Sequence, residues 1–110
     1  MNCRSLVSNF ELLKPIVKKC NPKIIAVSEI WRATAASSLL DNYQTPIFKN
    51  RLKRNGGGCG LYFRKDVQIS KNKLKVNELN LKIFEIIAAE MKMDQKEIII
   101  VSVYRPPNSS

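Results

Sequence analysis

The residues Ile-Ile-Ala-Val-Ser-Glu-Ile-Trp at 24–31 constrain the fold more than any other stretch. A short uncharged run, set off by Asn21, Pro22 and Lys23, suits a strand buried on both faces. Glu29 then falls at or just past the carboxyl end of that strand. In layered α/β folds this edge gathers ligands and catalytic groups. A carboxylate there is desolvated unless it is paired or holds a cation. The alternative is a Glu29 that turns to solvent or pairs with Arg32.

The neighbouring segments agree with an α/β class. Phe10, Leu13, Ile16 and Val17 recur at the helical period, which predicts a helix over 9–20 packed on the strand. Ser8 is the expected N-cap, with Glu11 completing a capping box. Pro15 predicts a kink or restart, because it removes an N–H and crowds the carbonyl of residue 11. Lys18 and Lys19 suit the negative end of the helix dipole. Residues 32–42 read as a small, polar loop with one helical turn near 38–40. Residues 43–48 read as a short strand, placed at an edge by Pro46.

Further along, Gly56-Gly57-Gly58 leads into Cys-Gly-Leu-Tyr-Phe at 59–63, a strand by its aromatic content and turn-bounded start. Residues 71–82 are polar and loop-like. The apolar runs 84–93 and 97–104 are joined by a short linker, which predicts an antiparallel hairpin. The β-branched, non-alternating Ile98–Val101 predicts burial on both faces. The hairpin 84–104 is expected in one sheet with 24–28 and 59–64, with the 9–20 helix packed on it.

At 110 residues the chain makes one domain, 1–110. It has a formal charge of +10, and residues 49–75 hold nine basic side chains against Asp66 alone, a net +8. That imbalance favours a polyanionic partner, either nucleic acid or an acidic membrane surface. No apolar stretch approaches the roughly 20 residues that span a bilayer. The amino terminus lacks a secretory signal layout, being interrupted by Ser8, Asn9 and Glu11. Cys3, Cys20 and Cys59 are odd in number and widely spaced, which predicts reduced thiols and a nuclear or cytoplasmic, not secreted, protein. The absence of His and of Cys-x-x-Cys argues against zinc.

The glycine run is not a nucleotide phosphate loop, because it lacks the Gly-Lys-Ser/Thr end and precedes a strand. It reads as a flexible hairpin loop or, given the surrounding Lys and Arg, as a loop that contacts phosphates. Tyr104 reads as a half-buried aromatic or as a hydroxyl donor to phosphate. Trp31 reads as core packing rather than a base-stacking platform.

Four stretches occur in a telling order: Asn-Cys-Arg-Ser-Leu at 2–6, Asn-Pro-Lys-Ile-Ile-Ala-Val-Ser-Glu-Ile-Trp at 21–31, Gly-Gly-Gly-Cys-Gly-Leu-Tyr-Phe-Arg-Lys-Asp-Val at 56–67, and Val-Tyr-Arg-Pro-Pro-Asn-Ser at 103–109. Their order and spacing resemble the N-terminal half of the endonuclease domain of jockey-like non-LTR retrotransposons, a branch of the endonuclease/exonuclease/phosphatase superfamily. The resemblance implies an α/β fold, a partial four-layer α/β sandwich with its C-terminal half missing. It implies a Mg2+-dependent endonuclease that nicks a DNA phosphodiester, attached in the parent to a reverse transcriptase.

By position, Glu29 matches the metal-binding Glu. Asn2 matches the Asn that contacts the phosphate or the metal shell, and Tyr104 matches the Tyr that bonds the scissile phosphate, with Asn108 nearby. DNA is the implied partner, through its phosphate backbone. Arg51, Lys53, Arg54, Arg64, Lys65, Arg105 and Asn108 are the candidate contacts, and neither a membrane nor a small-molecule cofactor is expected. The family's later Asp-x-Asn and Asp-His motifs, which align water and supply the base, have no counterpart in these residues. The chain is therefore expected to be a truncated copy, inactive alone. The other readings are a basic nucleic-acid-binding module without catalysis and a non-functional remnant.

Overall fold

The computed structural model describes residues 1–31, 33–49, 57–69 and 85–104. Its elements are α1 (Leu6–Cys20), β1 (Ile24–Ser28), β2 (Ile47–Lys49), β3 (Cys59–Phe63), β4 (Gln68–Ile69), β5 (Glu85–Met93) and β6 (Lys96–Tyr104). Among the described residues they form a mixed α/β domain with one helix and two antiparallel sheets, ordered β1–β3–β2 and β4–β5–β6. The single sheet expected from the sequence is therefore two.

The reason lies in β5. Its inward residues Ile87, Ala89 and Met91 join Cys59, Leu61 and Phe63 of β3 in one buried cluster, so the hairpin stacks on β3 face to face. One edge of β5 takes β4 and the other takes β6. The hairpin itself is as expected. Its two-residue turn, Asp94-Gln95, has both residues left-handed, at φ 49° and 65°. That twist suits a two-residue hairpin even without glycine.

The helix packs on the opposite face of the first sheet. Leu6, Leu13 and Val17 meet Ile25, Val27, Tyr43 and Tyr62 there. β3 is central and buried along its whole length, because helix and second sheet sandwich it. Tyr62 is fully buried, and its hydroxyl donates to the Ser38 carbonyl at 2.6 Å. β1 is covered less completely than expected: Ile25 and Val27 are buried under the helix, whereas Ala26 is exposed.

The helix starts before the expected cap. Ser5 is the N-cap and accepts the Ser8 N–H at 3.4 Å, so no box forms between Ser8 and Glu11. Docking of the amino terminus decides this. The Ser5 and Leu6 amides donate to the carbonyls of Glu29 and Ile30, which fixes where the helix can begin. One continuous helix runs through Pro15, with no restart, and ends at left-handed Asn21. In 32–42 the turn lies over 34–38 rather than 38–40. Pro46 just precedes β2, which among the described residues pairs with β3 alone, at the edge of its sheet as expected.

β6 departs from its expected double burial. It alternates: Ile98 and Ile100 pack inward, while Ile99, Val101 and Val103 are 57%, 54% and 55% exposed. Among the described residues nothing layers over that face. No helix among them is long and apolar enough to cross a membrane. The loop expected over 71–82 lies outside the described residues.

Candidate functional site

The carboxyl end of β1 is clamped from three sides. On one side, residues 1–3 run parallel to β1, with Asn2 bridged to Ser28. The Ser28 N–H donates to the Met1 carbonyl at 2.8 Å, and the Cys3 N–H donates to the Ser28 carbonyl at 2.8 Å. On the second side, the Trp31 N–H donates to the Gly57 carbonyl at 3.0 Å. Ile30, fully buried, lies against Gly58, where an added Cβ would sit 2.6 Å from Ile30 Cγ1. On the third side, the Tyr104 hydroxyl, at the end of β6, donates to Glu29 Oε1.

Glu29 and Trp31 are both left-handed, at φ 57° and 52°. The facing residues Arg4 and Ser5 are left-handed too, at φ 42° and 76°. Such conformations cost of order 1–3 kcal/mol each and persist only where the surroundings impose them. Here the imposing contacts are the backbone bonds to 5–6 and 57. The two left-handed residues turn the side chains of Glu29 and Trp31 toward each other. Trp31 Nε1–H donates to Glu29 Oε2 at 2.5 Å.

Glu29 is thus a partly buried carboxylate held by two neutral donors, an indole and a phenol. Among the described residues no Lys or Arg pairs with it. Asn2 is exposed, and its Oδ1 accepts the Arg4 N–H at 3.2 Å. The arrangement offers an anionic oxygen, an amide and a phenol at neighbouring strand ends. Such a set can attract a hard cation or hydrogen-bond a phosphoryl group. Cys3 lies beside it, but burial pushes its thiol pKa up, which keeps it protonated and a poor nucleophile.

Asn2, Glu29 and Tyr104, far apart in sequence, therefore sit on adjoining segments. Arg64 and Lys65 lie elsewhere, after β3. Arg64 is committed within the fold: its Nε and Nη2 grip Asp66 at 2.6 and 2.9 Å, and Nη1 donates to the Asn21 carbonyl at 2.8 Å. That grip holds the Asp66 carboxyl below the usual range. Lys65 is exposed. Arg51, Lys53, Arg54, Arg105 and Asn108, and a pairing of Glu29 with Arg32, lie outside the described residues.

One expectation is corrected. Trp31 is not core: it is 43% exposed, with its N–H on Glu29. Gly57 accepts the Trp31 N–H, and Gly58 lies against the Ile30 side chain. A separate groove of about 500 Å³ lies between the end of α1 and residues 39–43, where Lys14, Lys18 and Asp41 mix both signs of charge. None of the expected site residues lines it.

A scan against protein-family models and a search of curated proteins found no match to this chain.

Proposed function

We propose that the chain is the N-terminal part of a metal-dependent DNA endonuclease domain of the endonuclease/exonuclease/phosphatase type, as in jockey-like retrotransposons. One observation carries this reading. Residues 2–6, 28–31, 57–58 and 104, drawn from the four stretches behind the resemblance, meet around one carboxylate. A helix outside two stacked sheets is also compatible with three layers of a four-layer sandwich. The exposed apolar face of β6 is where a fourth layer would lie.

Magnesium is the cation this reading calls for. It keeps several waters and takes one or two carboxylates plus substrate phosphate. Glu29 fits that role as a single anchoring carboxylate, with Asn2 on the adjoining segment bridged to Ser28. The described residues contain no group of three or more metal-ligating side chains, so the fit is to a loosely held ion. When bound, the ion would stabilise charge on the phosphoryl oxygens.

The protein's own share is positioning. Tyr104 has one hydroxyl proton, now on Glu29, so bonding a phosphate oxygen requires that proton to swing from Glu29 to the phosphate. No His is present to act as base, and acid–base assistance is typically worth about a hundred- to ten-thousand-fold. The 110-residue chain is therefore expected not to nick DNA. The test is a magnesium titration by calorimetry beside a plasmid-nicking assay, on the parent and on Glu29→Ala. Weak binding lost in the variant, without nicking, supports the reading. No binding by the parent removes the metal site. Nicking that Glu29→Ala abolishes would show the chain sufficient for chemistry.

The charge of residues 49–75 favours a second reading, a nucleic-acid-binding module without catalysis. Parent and Glu29→Ala would then bind duplex DNA equally, with no magnesium dependence.

A further inference from the structure

We infer that Trp31 is a positioning residue for a divalent cation at Glu29: its indole N–H donates to Oε2 and so holds the carboxylate in one orientation. This rests on the metal reading above. An ionised carboxylate has about four lone-pair positions. Trp31 takes one on Oε2 and Tyr104 takes one on Oε1, and among the described residues no other donor uses the remaining two.

The chemistry of the donors matters. An indole N–H can only donate, so Trp31 orients Glu29 without becoming a ligand. Being neutral, it also leaves the full negative charge available, whereas Lys or Arg would compete with the incoming cation. Hydrogen bonds to metal-binding carboxylates commonly act this way, and losing one typically costs about 10–100-fold in metal affinity.

The fold prepares this contact. Left-handed Glu29 and Trp31 flank buried Ile30, and the Trp31 amide is held by Gly57. The ring remains 43% exposed, so core packing does not account for its orientation. The bond to Glu29 does.

The chain has a single Trp, so the probe is built in. Mn2+ binding is measured by electron paramagnetic resonance on the parent, Trp31→Phe and Glu29→Gln, with circular dichroism to verify folding. The one indole N–H resonance of the parent is followed as Mg2+ is added. Trp31→Phe keeps an aromatic ring and removes the donor, so Mn2+ affinity is expected to fall by about 10–100-fold. In the parent, the indole resonance is expected to shift with Mg2+ yet stay protected from exchange, and Glu29→Gln is expected to abolish the shift. Parent-like Mn2+ affinity in a folded Trp31→Phe would overturn the inference and leave the metal reading standing. So would an indole N–H released to solvent exchange at saturating Mg2+. Should Trp31→Phe not fold, the parent resonance alone decides. Absence of any Glu29-dependent ion binding in the parent would overturn the metal reading and this inference together.

Discussion

Replacing Gly58 by Ala is expected to destabilise the domain and loosen the candidate site at once. Gly58 has φ +85°, a left-handed conformation that an L side chain resists by roughly 1–2 kcal/mol. The added Cβ would also lie 2.6 Å from Ile30 Cγ1 and 3.2 Å from the Lys49 carbonyl oxygen. Ile30 is fully buried, and the carbonyl belongs to a paired strand. Overpacking of this kind typically costs about 1–3 kcal/mol. The sum is about 2–5 kcal/mol, against a total stability of about 5–15 kcal/mol for an ordinary domain. Urea denaturation measures it, with the slope checked for constancy so that the midpoint reports stability.

Gly58→Asn separates the two causes. Asn tolerates the left-handed region but still carries a Cβ, so it should recover the conformational part and keep the clash. Because Ile30 lies between Glu29 and Trp31, the Trp31 indole in Gly58→Ala should also lose protection from exchange. A Gly58→Ala chain within about 0.5 kcal/mol of the parent, the range of an ordinary surface change, would refute the argument that these glycines hold the 29–31 turn.

Tyr62→Phe leaves the Ser38 carbonyl without its buried donor and is expected to cost about 1–3 kcal/mol by the same denaturation measurement. Burial raises the Tyr62 pKa in the folded state, so its contribution is fully present below the unfolded value near 10 and is lost as pH rises through the folded value. Alkaline unfolding followed by circular dichroism should therefore be less steep in a Tyr62→Phe chain. Val101→Lys, on the exposed face of β6, should change stability by less than about 0.5 kcal/mol and reduce light scattering in concentrated solution. Duplex DNA binding should weaken with salt, each phosphate contact adding about −0.9 to the slope of log affinity against log salt. Because Arg64 is held by Asp66 and the Asn21 carbonyl, Lys65→Ala should alter that slope more than Arg64→Ala, while Arg64→Ala should alter stability more.

Local chemistry was legible in the sequence. The helical period of Phe10, Leu13 and Val17, the strand character of 24–28 and 59–63, and the hairpin of 85–104 depend on neighbouring residues, and these elements form where their patterns lie. Glu29 follows directly from the end of β1. What the sequence could not decide was which surfaces meet. An apolar run without alternation reads the same whether a second layer covers both faces or one, so β6 was read as doubly buried although Ile99, Val101 and Val103 stand exposed.

The same applies to the assignment of sheets, since β5 stacks on β3 rather than pairing with it. The start of α1 was likewise set from outside the helix, by amides of 5–6 docking on 29–30. At the site, Glu29 stood out as a carboxylate at a strand end, and Asn2 and Tyr104 through their place in the motifs. The roles of Trp31, Gly57 and Gly58 were hidden, because they rest on two left-handed residues. Backbone contacts from distant segments impose that local conformation, and no local propensity favours it.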